Sequence, residues 1–330
     1  MYLLQQDLQS VDELEPTTFS DLGMKESDIE EILRSNINIL CRDEESLLIL
    51  GQQVRDEKLG RSDLTAVDND GNVVLIEIKR DMRDIVGRRE PFEMQAVRYA
   101  ASYATLRSVD EMVKVVYAPY IEKNRREFEL GVLTSYETGI RKLSEFLQDN
   151  DAEDAFNARQ RVILVSSEFN DQTLSTVSWL NSNGVDISCF QLTPYRISGS
   201  VLLDVEKILP LAESSDYYVS LFESGRPGRP PRGLTKRRNL PRIDAMLEWG
   251  VVEPGDTIIA KNRGDRATLL ANGNVSVDGE EMAMHKWLAG VFGWSSIETY
   301  AFSVHEPTGK SLSEIRQEYM ERQEEDDLDL

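Results

Sequence analysis

Two acids and an amine stand close together in residues 61–80, RSDLTAVDNDGNVVLIEIKR. This segment predicts two strands joined by the Asp-Asn-Asp-Gly turn at 68–71, because Asn, Asp and Gly tolerate the left-handed backbone of tight turns. The second strand is apolar nearly throughout, which is typical of a strand buried on both faces. It carries Glu77 and Lys79, which are two residues apart and leave the same face. With Asp63 on the first strand, these groups are costly to bury unless a cation or a substrate pairs with them.

The arrangement of Asp63 followed by Glu77-Ile78-Lys79 resembles the PD-(D/E)XK nuclease superfamily. The resemblance implies that Asp63 and Glu77 hold Mg²⁺ or Mn²⁺ and that the Ile78 carbonyl adds a ligand. It also implies that Lys79 orients or helps to deprotonate the attacking water. A divalent cation held by hard oxygen ligands offsets the negative charge that builds on a phosphate during hydrolysis. Ser62 replaces the leading proline of the family pattern, at a position that varies in the superfamily. The triplet alone fits a surface hairpin with a salt-bridged end equally well.

A helix predicted over EMQAVRYAASYATL, residues 93–106, supports the same resemblance. Gln95 and Tyr99 are four residues apart and therefore share one helix face. They resemble the QxxxY element of the RecB-like branch, whose helix packs beside the active site. The resemblance therefore adds Gln95 and Tyr99 to the expected catalytic residues.

An earlier amphipathic helix is predicted over residues 24–40, with Ser27 as its N-cap. An acid from this first helix can join the metal site in related nucleases, and Glu31 is the candidate. The alternative for Glu31 is a solvated helical glutamate. The apolar residues expected on the buried face are Ile29, Ile32 and Leu33.

The order of helix, strand, turn and catalytic strand looks like the archaeal and bacterial endonuclease domains related to NucS. The predicted fold is α/β, with a restriction-endonuclease-like PD-(D/E)XK core around a mixed central sheet. A helical insertion is expected at about 109–158, and a β-α-β unit over 161–208 continues the sheet. Phe190, Leu192 and Trp179 are expected in its core. The nuclease domain is predicted to span residues 1–215.

Arginines stand near the expected site and in a linker. Arg83, Arg88 and Arg89 follow Lys79 closely, and they either bind the substrate backbone or belong to a solvated loop. Residues 216–238 are predicted to be a basic Pro/Gly/Arg linker. Its repeated Gly-Arg-Pro resembles an AT-hook, which lies in the DNA minor groove; the alternative is a proline-stiffened spacer. We expect backbone contacts to DNA in either case, from Arg226, Arg229, Arg232, Lys236, Arg237 and Arg238.

Residues 239–318 predict a small α+β domain with a helix, short strands around Asn272-Gly273 and Asp278-Gly279, and further helices. It resembles the RAMA domain, a module associated with restriction enzymes and adenine methylases. The likeness implies a binding module for plain or modified DNA. Three large aromatic residues either stack on a base or form the core. The likeness is carried by Gly250, Pro254-Gly255-Asp256, Gly273, Gly279, Gly293-Trp294, Leu312 and Ile315-Arg316, and the aromatic residues are Trp287, Trp294 and Tyr300.

The end of the chain, 319–330, is acidic and is predicted to be disordered. Residues 323–330 are loosely similar to the peptides that bind sliding clamps. A sliding clamp is therefore a candidate partner of the chain.

Composition narrows the classes of function. The chain has 330 residues and a net charge of −22, which disfavours a protein that coats DNA but allows local basic patches. Its two histidines argue against a histidine-rich metal site, and its two distant cysteines favour a reduced cytoplasm. We find no signal peptide or membrane span and expect no membrane partner.

The leading expectation is a metal-dependent DNA endonuclease in restriction or phage defence, acting as a homodimer if it cuts both strands. One alternative is a DNA-binding adaptor with a catalytically silent nuclease fold. The other is a DNA-repair nuclease recruited by a sliding clamp.

Overall fold

The structure is a computed structural model that describes residues 1–4, 10–41, 43–56, 60–86, 88–128, 130–197, 199–210 and 240–328. The chain divides into two compact units. The first comprises Met1–Ser35 and Ile49–Lys236, and the second comprises Asn36–Leu48 and Arg237–Leu330.

The strands and helices follow each other in a mixed order along the chain. The strands are β1 (Tyr2–Leu4), β2 (Val11–Glu13), β3 (Leu47–Asp56), β4 (Gly60–Asp68), β5 (Val73–Lys79), β6 (Gln160–Ser166), β7 (Asp186–Ile197), β8 (Ser200–Leu209), β9 (Thr257–Ala260), β10 (Arg266–Leu269), β11 (Val275–Val277), β12 (Glu280–Met282), β13 (Ser303–His305) and β14 (Lys310–Ser311). The helices are α1 (Glu26–Ser35), α2 (Asn38–Cys41), α3 (Met82–Ile85), α4 (Phe92–Tyr103), α5 (Val109–Met112), α6 (Ala118–Lys123), α7 (Ser135–Asp149), α8 (Asp171–Ser182), α9 (Ile243–Glu248), α10 (Met284–Phe292), α11 (Thr299–Phe302) and α12 (Leu312–Leu328), with a π-helical segment at Val113–Tyr117 and a 3₁₀ turn at Glu153–Ala155.

The first unit contains a mixed six-stranded sheet in the order β3-β4-β5-β6-β7-β8. The strand β5 pairs antiparallel with β4 and parallel with β6. The strand β7 pairs parallel with β6 and antiparallel with β8. Every residue of β5 is buried, which confirms the prediction that this apolar run is covered on both faces.

The turn between β4 and β5 forms for local reasons. The Asp68 Oδ1 atom accepts hydrogen bonds from the backbone N–H groups of Asp70 at 3.1 Å and Asn72 at 2.9 Å. Gly71 has a φ angle of +78°, and a Cβ atom there would lie 3.0 Å from the Ala152 carbonyl oxygen. Glycine therefore meets both a conformational and a steric requirement, and the turn fixes the register of the strands that carry the site.

The helices α4 and α8 cover the sheet around a shared apolar core. Phe92 and Ala96 of α4 and Val177 of α8 are buried against β6 and β7. The prediction that Trp179 lies in this core is wrong, because its side chain is 64% exposed. The buried side of α8 is lined by residues four apart, and Trp179, two residues after Val177, falls on the other side of the helix. Phe190 and Leu192 are buried, and the buried α8 residues are Thr173, Val177 and Asn181.

The helix predicted over 24–40 is shorter in the structure and begins at a different residue. The helix α1 starts at Glu26, so Ser27 lies inside it, and Asp28 accepts a hydrogen bond from the Lys25 N–H group at 2.8 Å. It ends at Ser35, and residues 36–48 belong to the second unit. The helix packs against β4 and β5.

The charged segment 109–158 is helical, as predicted. Its first part, from α5 through the π-helical segment to α6, packs against α7. Gly139 of α7 lies where an added Cβ atom would come within 2.8 Å of the Val113 side chain, so a small residue permits this close approach.

The second unit contains a six-stranded sheet in the order β12-β11-β10-β9-β13-β14, with antiparallel pairing throughout. The predicted short strands on either side of Asn272-Gly273 are present as β10 and β11.

The helix α12 continues to Leu328, although we predict disorder from residue 319. Glu, Gln and Leu have high helix propensity, which favours continuation of a helix that has already started. Among the described residues, none of the helices combines the length and apolar character that a membrane span requires.

Candidate active site

The candidate site lies where β4 and β5 run side by side. Their register pairs Leu64 with Ile76, and one further step would place Asp63 opposite Glu77, with both side chains on the same face. The Asp63 Oδ2 atom accepts a hydrogen bond from the Ile78 backbone N–H group at 2.8 Å. The exposed fractions of the Asp63 and Glu77 side chains are only 8% and 3%. The hairpin therefore brings two buried carboxyl groups to one place.

The Lys79 ammonium group lies between these acids. Its Nζ atom is 3.3 Å from Glu77 Oε1 and 3.9 Å from Asp63 Oδ2. It donates hydrogen bonds to the Ile78 carbonyl oxygen at 2.6 Å and to Glu26 Oε1 at 3.2 Å. The Phe92 ring centroid lies 5.4 Å away. The structure thus brings Asp63, Glu77 and Lys79 together, and the positive charge sits at the point where their oxygen atoms converge.

Gln95 connects Glu77 to the loop before α4. The Gln95 Nε2 atom donates a hydrogen bond to Glu77 Oε1 at 2.6 Å, and its Oε1 atom accepts one from Arg88 at 2.8 Å. Arg88 also lines a surface pocket with Arg89, Glu90 and Pro91. Gln95 therefore fixes Glu77 from the α4 side, and Arg88 joins the site through it. Arg83 and Arg89 are exposed.

Tyr99 contacts the strand that carries Asp63, and its hydroxyl bonds to the backbone of that strand and not to the Asp63 or Glu77 carboxylate. Its hydroxyl accepts a hydrogen bond from the Arg61 N–H group at 2.9 Å. Tyr103 makes similar contacts that the sequence analysis missed, because its hydroxyl lies 3.0 Å from both Ser62 Oγ and Thr65 Oγ1. The two tyrosines are four residues apart on α4 and anchor β4 on both sides of Asp63, so they position the strand that carries this acid.

A third buried acid comes from α1, and it is Glu30, not the predicted Glu31. Glu30 is 1% exposed, and its Oε1 atom has no hydrogen-bond partner among the described residues. Gln53 donates a hydrogen bond to Glu30 and lies 3.3 Å from Asp63 Oδ1. Glu31 instead faces solvent and pairs with Arg34. Glu30 lies three residues before Leu33 and therefore shares its buried helix face, and this spacing is the sequence signal that could have identified it. Ile32, which we expect to be buried, is instead 36% exposed.

Burial shifts the pKa values of these acids upward. Desolvation, together with the charge of the neighbouring Asp63 carboxylate, raises the pKa of Glu77 to about 8. Desolvation also raises the pKa of Asp63 to about 6 and that of Glu30 to about 7. Burial by itself would lower the pKa of Lys79, but the Asp63, Glu77 and Glu26 carboxylates outweigh it and raise that pKa. The acids therefore favour a positive charge at this position.

The end of β5 is fixed by a separate buried acid, Asp81. Its carboxylate accepts hydrogen bonds from the backbone N–H groups of Phe19 at 3.2 Å and Ser20 at 3.1 Å. The hydroxyl groups of Ser20 and Ser167 donate to it as well. This acid ties the end of β5 to the segment that leads into α1, and sequence reasoning missed it because its partners are distant in the chain.

The oxygen donors suit a hard divalent cation. In the part of the chain that the structure describes, no group of three or more His, Cys, Asp and Glu side chains is arranged to hold a metal ion. The donors that converge are two carboxylates and one carbonyl, from Asp63, Glu77 and Ile78. Mg²⁺ commonly binds through one or two carboxylates and completes its shell with water and substrate oxygens. The cationic Lys79 Nζ atom already marks the place where these donors meet.

The remaining predicted sites are accounted for differently. Arg226, Arg229, Arg232, Lys236, Arg237 and Arg238 lie outside the described residues. In the second unit, Trp287, Trp294 and Tyr300 are 5%, 7% and 5% exposed. Trp294 packs against Phe292 and Phe302, with ring centroids 4.8 Å and 5.1 Å away. These aromatic residues are core residues of the second unit, and their rings are not presented for stacking on a base.

No family model matches the chain, and neither the curated proteins nor the solved structures give a match.

Proposed function

We propose that the chain is a metal-dependent DNA endonuclease with a PD-(D/E)XK core. The observation that carries this proposal is the convergence of Asp63, Glu77 and the Ile78 carbonyl on one buried, positively charged position. Asp63 and Glu77 share the single positive charge of Lys79, so this position can accommodate further positive charge. Phosphodiester hydrolysis requires concentrated positive charge beside the phosphate.

Each residue has a role that follows from its contacts. Asp63, Glu77 and the Ile78 carbonyl would hold the cation, which supplies positive charge against the charge that develops on the phosphate oxygens. Lys79 donates hydrogen bonds and orients the attacking water. Gln95 keeps the Glu77 carboxylate in place through its 2.6 Å hydrogen bond. Tyr99 positions the start of β4.

DNA is proposed as the substrate on two grounds. Residues 224–242 contain seven arginine and lysine residues, the first of them Arg226 and the last Arg242, and no acid. The chain as a whole has a net charge of −22. Such a concentration of positive charge favours contact with phosphates. The likeness of residues 239–318 to a RAMA domain favours a role in restriction or defence, with the second unit binding plain or modified DNA.

The test is cleavage of supercoiled plasmid by the full chain with Mg²⁺ or Mn²⁺, and with EDTA as the blank. Asp63→Asn, Glu77→Gln and Lys79→Met should each lower the rate at least about 100-fold, because each removes a charge from the reacting position. Glu31→Gln is the matched control, since Glu31 is a solvent-facing acid on α1 that pairs with Arg34. Absence of cleavage on both plain and modified DNA would overturn the proposal, as would full activity in the three variants.

A DNA-binding adaptor with a silent nuclease fold is the second candidate. It is favoured by the position of Lys79 Nζ, which fills the space between the acids and satisfies the Ile78 carbonyl. This candidate predicts retention of DNA without uptake of Mn²⁺. Calorimetric titration of Mn²⁺ into the wild type and Asp63→Ala separates the two, because only the enzyme should bind the ion and lose it with Asp63.

A further inference from the structure

Four oxygen atoms surround the Lys79 ammonium group, and they fall into two classes. The Ile78 carbonyl at 2.6 Å, Glu77 at 3.3 Å and Asp63 at 3.9 Å are the donors assigned above to a cation. Glu26, at 3.2 Å, is the fourth and lies outside that donor set. Lys79 is therefore held partly by the cation donors and partly by one separate acid.

A divalent cation and the ammonium group cannot share these donors. Two positive charges at the same oxygen atoms repel each other strongly in a buried place. The ammonium must therefore leave Glu77 and the Ile78 carbonyl when a cation arrives. Lys79 is only 3% exposed, and a buried charge without a partner is costly. It needs an acceptor that the cation does not use.

Glu26 has the position that such an acceptor requires. It is the first residue of α1, and its side chain is 39% exposed, so it lies on the solvent side of the buried acids. It already accepts a hydrogen bond from Lys79. A small movement of the ammonium toward Glu26 would free the cation donors and keep the lysine paired.

We propose that Glu26 is a positioning residue that draws Lys79 away from Asp63, Glu77 and the Ile78 carbonyl and so opens the site to a divalent cation. In the absence of the ion, Lys79 closes the site by serving as its internal cation. The inference rests on the proposed cation site but concerns a residue outside it.

The experiment measures Mn²⁺ affinity by titration calorimetry in two backgrounds. With Lys79 present, Glu26→Gln should weaken Mn²⁺ binding about fivefold, the size expected for one partly exposed charge partner. With Lys79→Met, which should bind Mn²⁺ more tightly than the wild type, Glu26→Gln should change the affinity less than about twofold. Glu31→Gln is the control on the same helix and should leave the affinity unchanged. Lys79→Gln serves as a second background if Lys79→Met is poorly folded.

Each other outcome overturns the inference in a recognisable way. If Glu26→Gln weakens binding equally in both backgrounds, Glu26 acts on the ion itself and not through Lys79. If it changes nothing with Lys79 present, Glu26 has no part in opening the site. If the wild type takes up no Mn²⁺, the proposed cation site fails and this inference fails with it.

Discussion

The second unit contains an ion pair between the buried Arg316 and the half-buried Glu44, and its charges and geometry match. Arg316 donates to both oxygens of Glu44, at 2.8 Å and 3.1 Å, and to the Pro241 carbonyl oxygen at 3.1 Å. Its guanidinium group also lies over the Tyr300 ring, 4.5 Å from the centroid. One positive charge meets one negative charge in the two-pronged geometry that arginine favours. Such a pair fixes one arrangement of the chain.

The cluster at the end of β5 in the first unit has the opposite character. Two buried acids, Asp63 and Glu77, share the single ammonium group of Lys79, whose shortest contact is with a carbonyl oxygen. Desolvation by burial raises the pKa of both acids, and the single Lys79 ammonium does not offset it. A buried cluster with unmatched charge is kept at a cost in stability, which is typical of a functional site and not of a structural ion pair.

Removing the arginine of the matched pair should have the largest effect on stability. Arg316→Ala leaves Glu44 without its partner and exposes the Tyr300 ring, so we expect a loss of about 3 kcal/mol in the second unit. Hydrogen exchange of peptides from that unit, measured with urea denaturation, gives the local free energy. Arg322→Ala is the matched control on α12, because its side chain is 73% exposed and should matter by less than about 0.5 kcal/mol. A loss below about 1 kcal/mol in Arg316→Ala would contradict the view that this pair is structural.

Neutralising an acid of the unmatched cluster should stabilise the fold at high pH. The pKa of Glu77 rises from 4.5 to about 8 on folding, chiefly through desolvation. A raised pKa means that the contribution of Glu77 to stability is complete below pH about 4.5 and is lost as the pH rises through about 8. The glutamine of the Glu77→Gln variant does not titrate. The free energy of unfolding of this variant, relative to that of the wild type, should therefore rise by on the order of 2 kcal/mol as the pH increases from about 5 to about 9.

Thermal unfolding in EDTA across that pH range measures this gain. Glu31→Gln should show none, because hydrogen bonds from Arg34 lower the pKa of Glu31. A Glu77→Gln variant that is less stable than the wild type at both ends of the range would mean that the cluster is a structural ion pair after all.

The parts of the site that lie in one local segment could be predicted from the sequence. Strand alternation places Glu77 and Lys79 on one face, and the Asp-Asn-Asp-Gly turn fixes the hairpin that brings Asp63 to them. Helical spacing shows only that Gln95 and Tyr99 share a face of α4, and the likeness to the QxxxY element is what predicts Gln95 at the site, where it contacts Glu77 directly. The strand and turn inferences need only local periodicity and turn composition.

The parts that depend on distant packing could not be predicted. Glu26 and Glu30 reach the site because α1 ends at Ser35 and packs on β4 and β5, and no local pattern determines that rotation of the helix. The wrong placement of Trp179 has the same cause, since α8 has several apolar residues and its buried side is chosen by the sheet beneath it. The nuclease assignment, its DNA substrate and the role of the basic linker stay predictions.

The smallest expected effect tests whether backbone strain also belongs to the unmatched cluster. Gln53 lies between Glu30 and Asp63 and has a φ angle of 55°, a left-handed conformation that costs a non-glycine residue about 1 kcal/mol. Gln53→Gly relieves that strain but removes the amide that contacts both acids. The two effects oppose each other, so we expect a change of less than about 1 kcal/mol in thermal stability.

Plasmid cleavage by Gln53→Gly should nevertheless fall, because Asp63 loses a contact that orients it. Gln53→Asn, which keeps an amide and tolerates positive φ, is the comparison variant and should retain more activity than Gln53→Gly. If Gln53→Gly instead loses about 2 kcal/mol and keeps full activity, the amide supports the fold and the strain has no connection with the site.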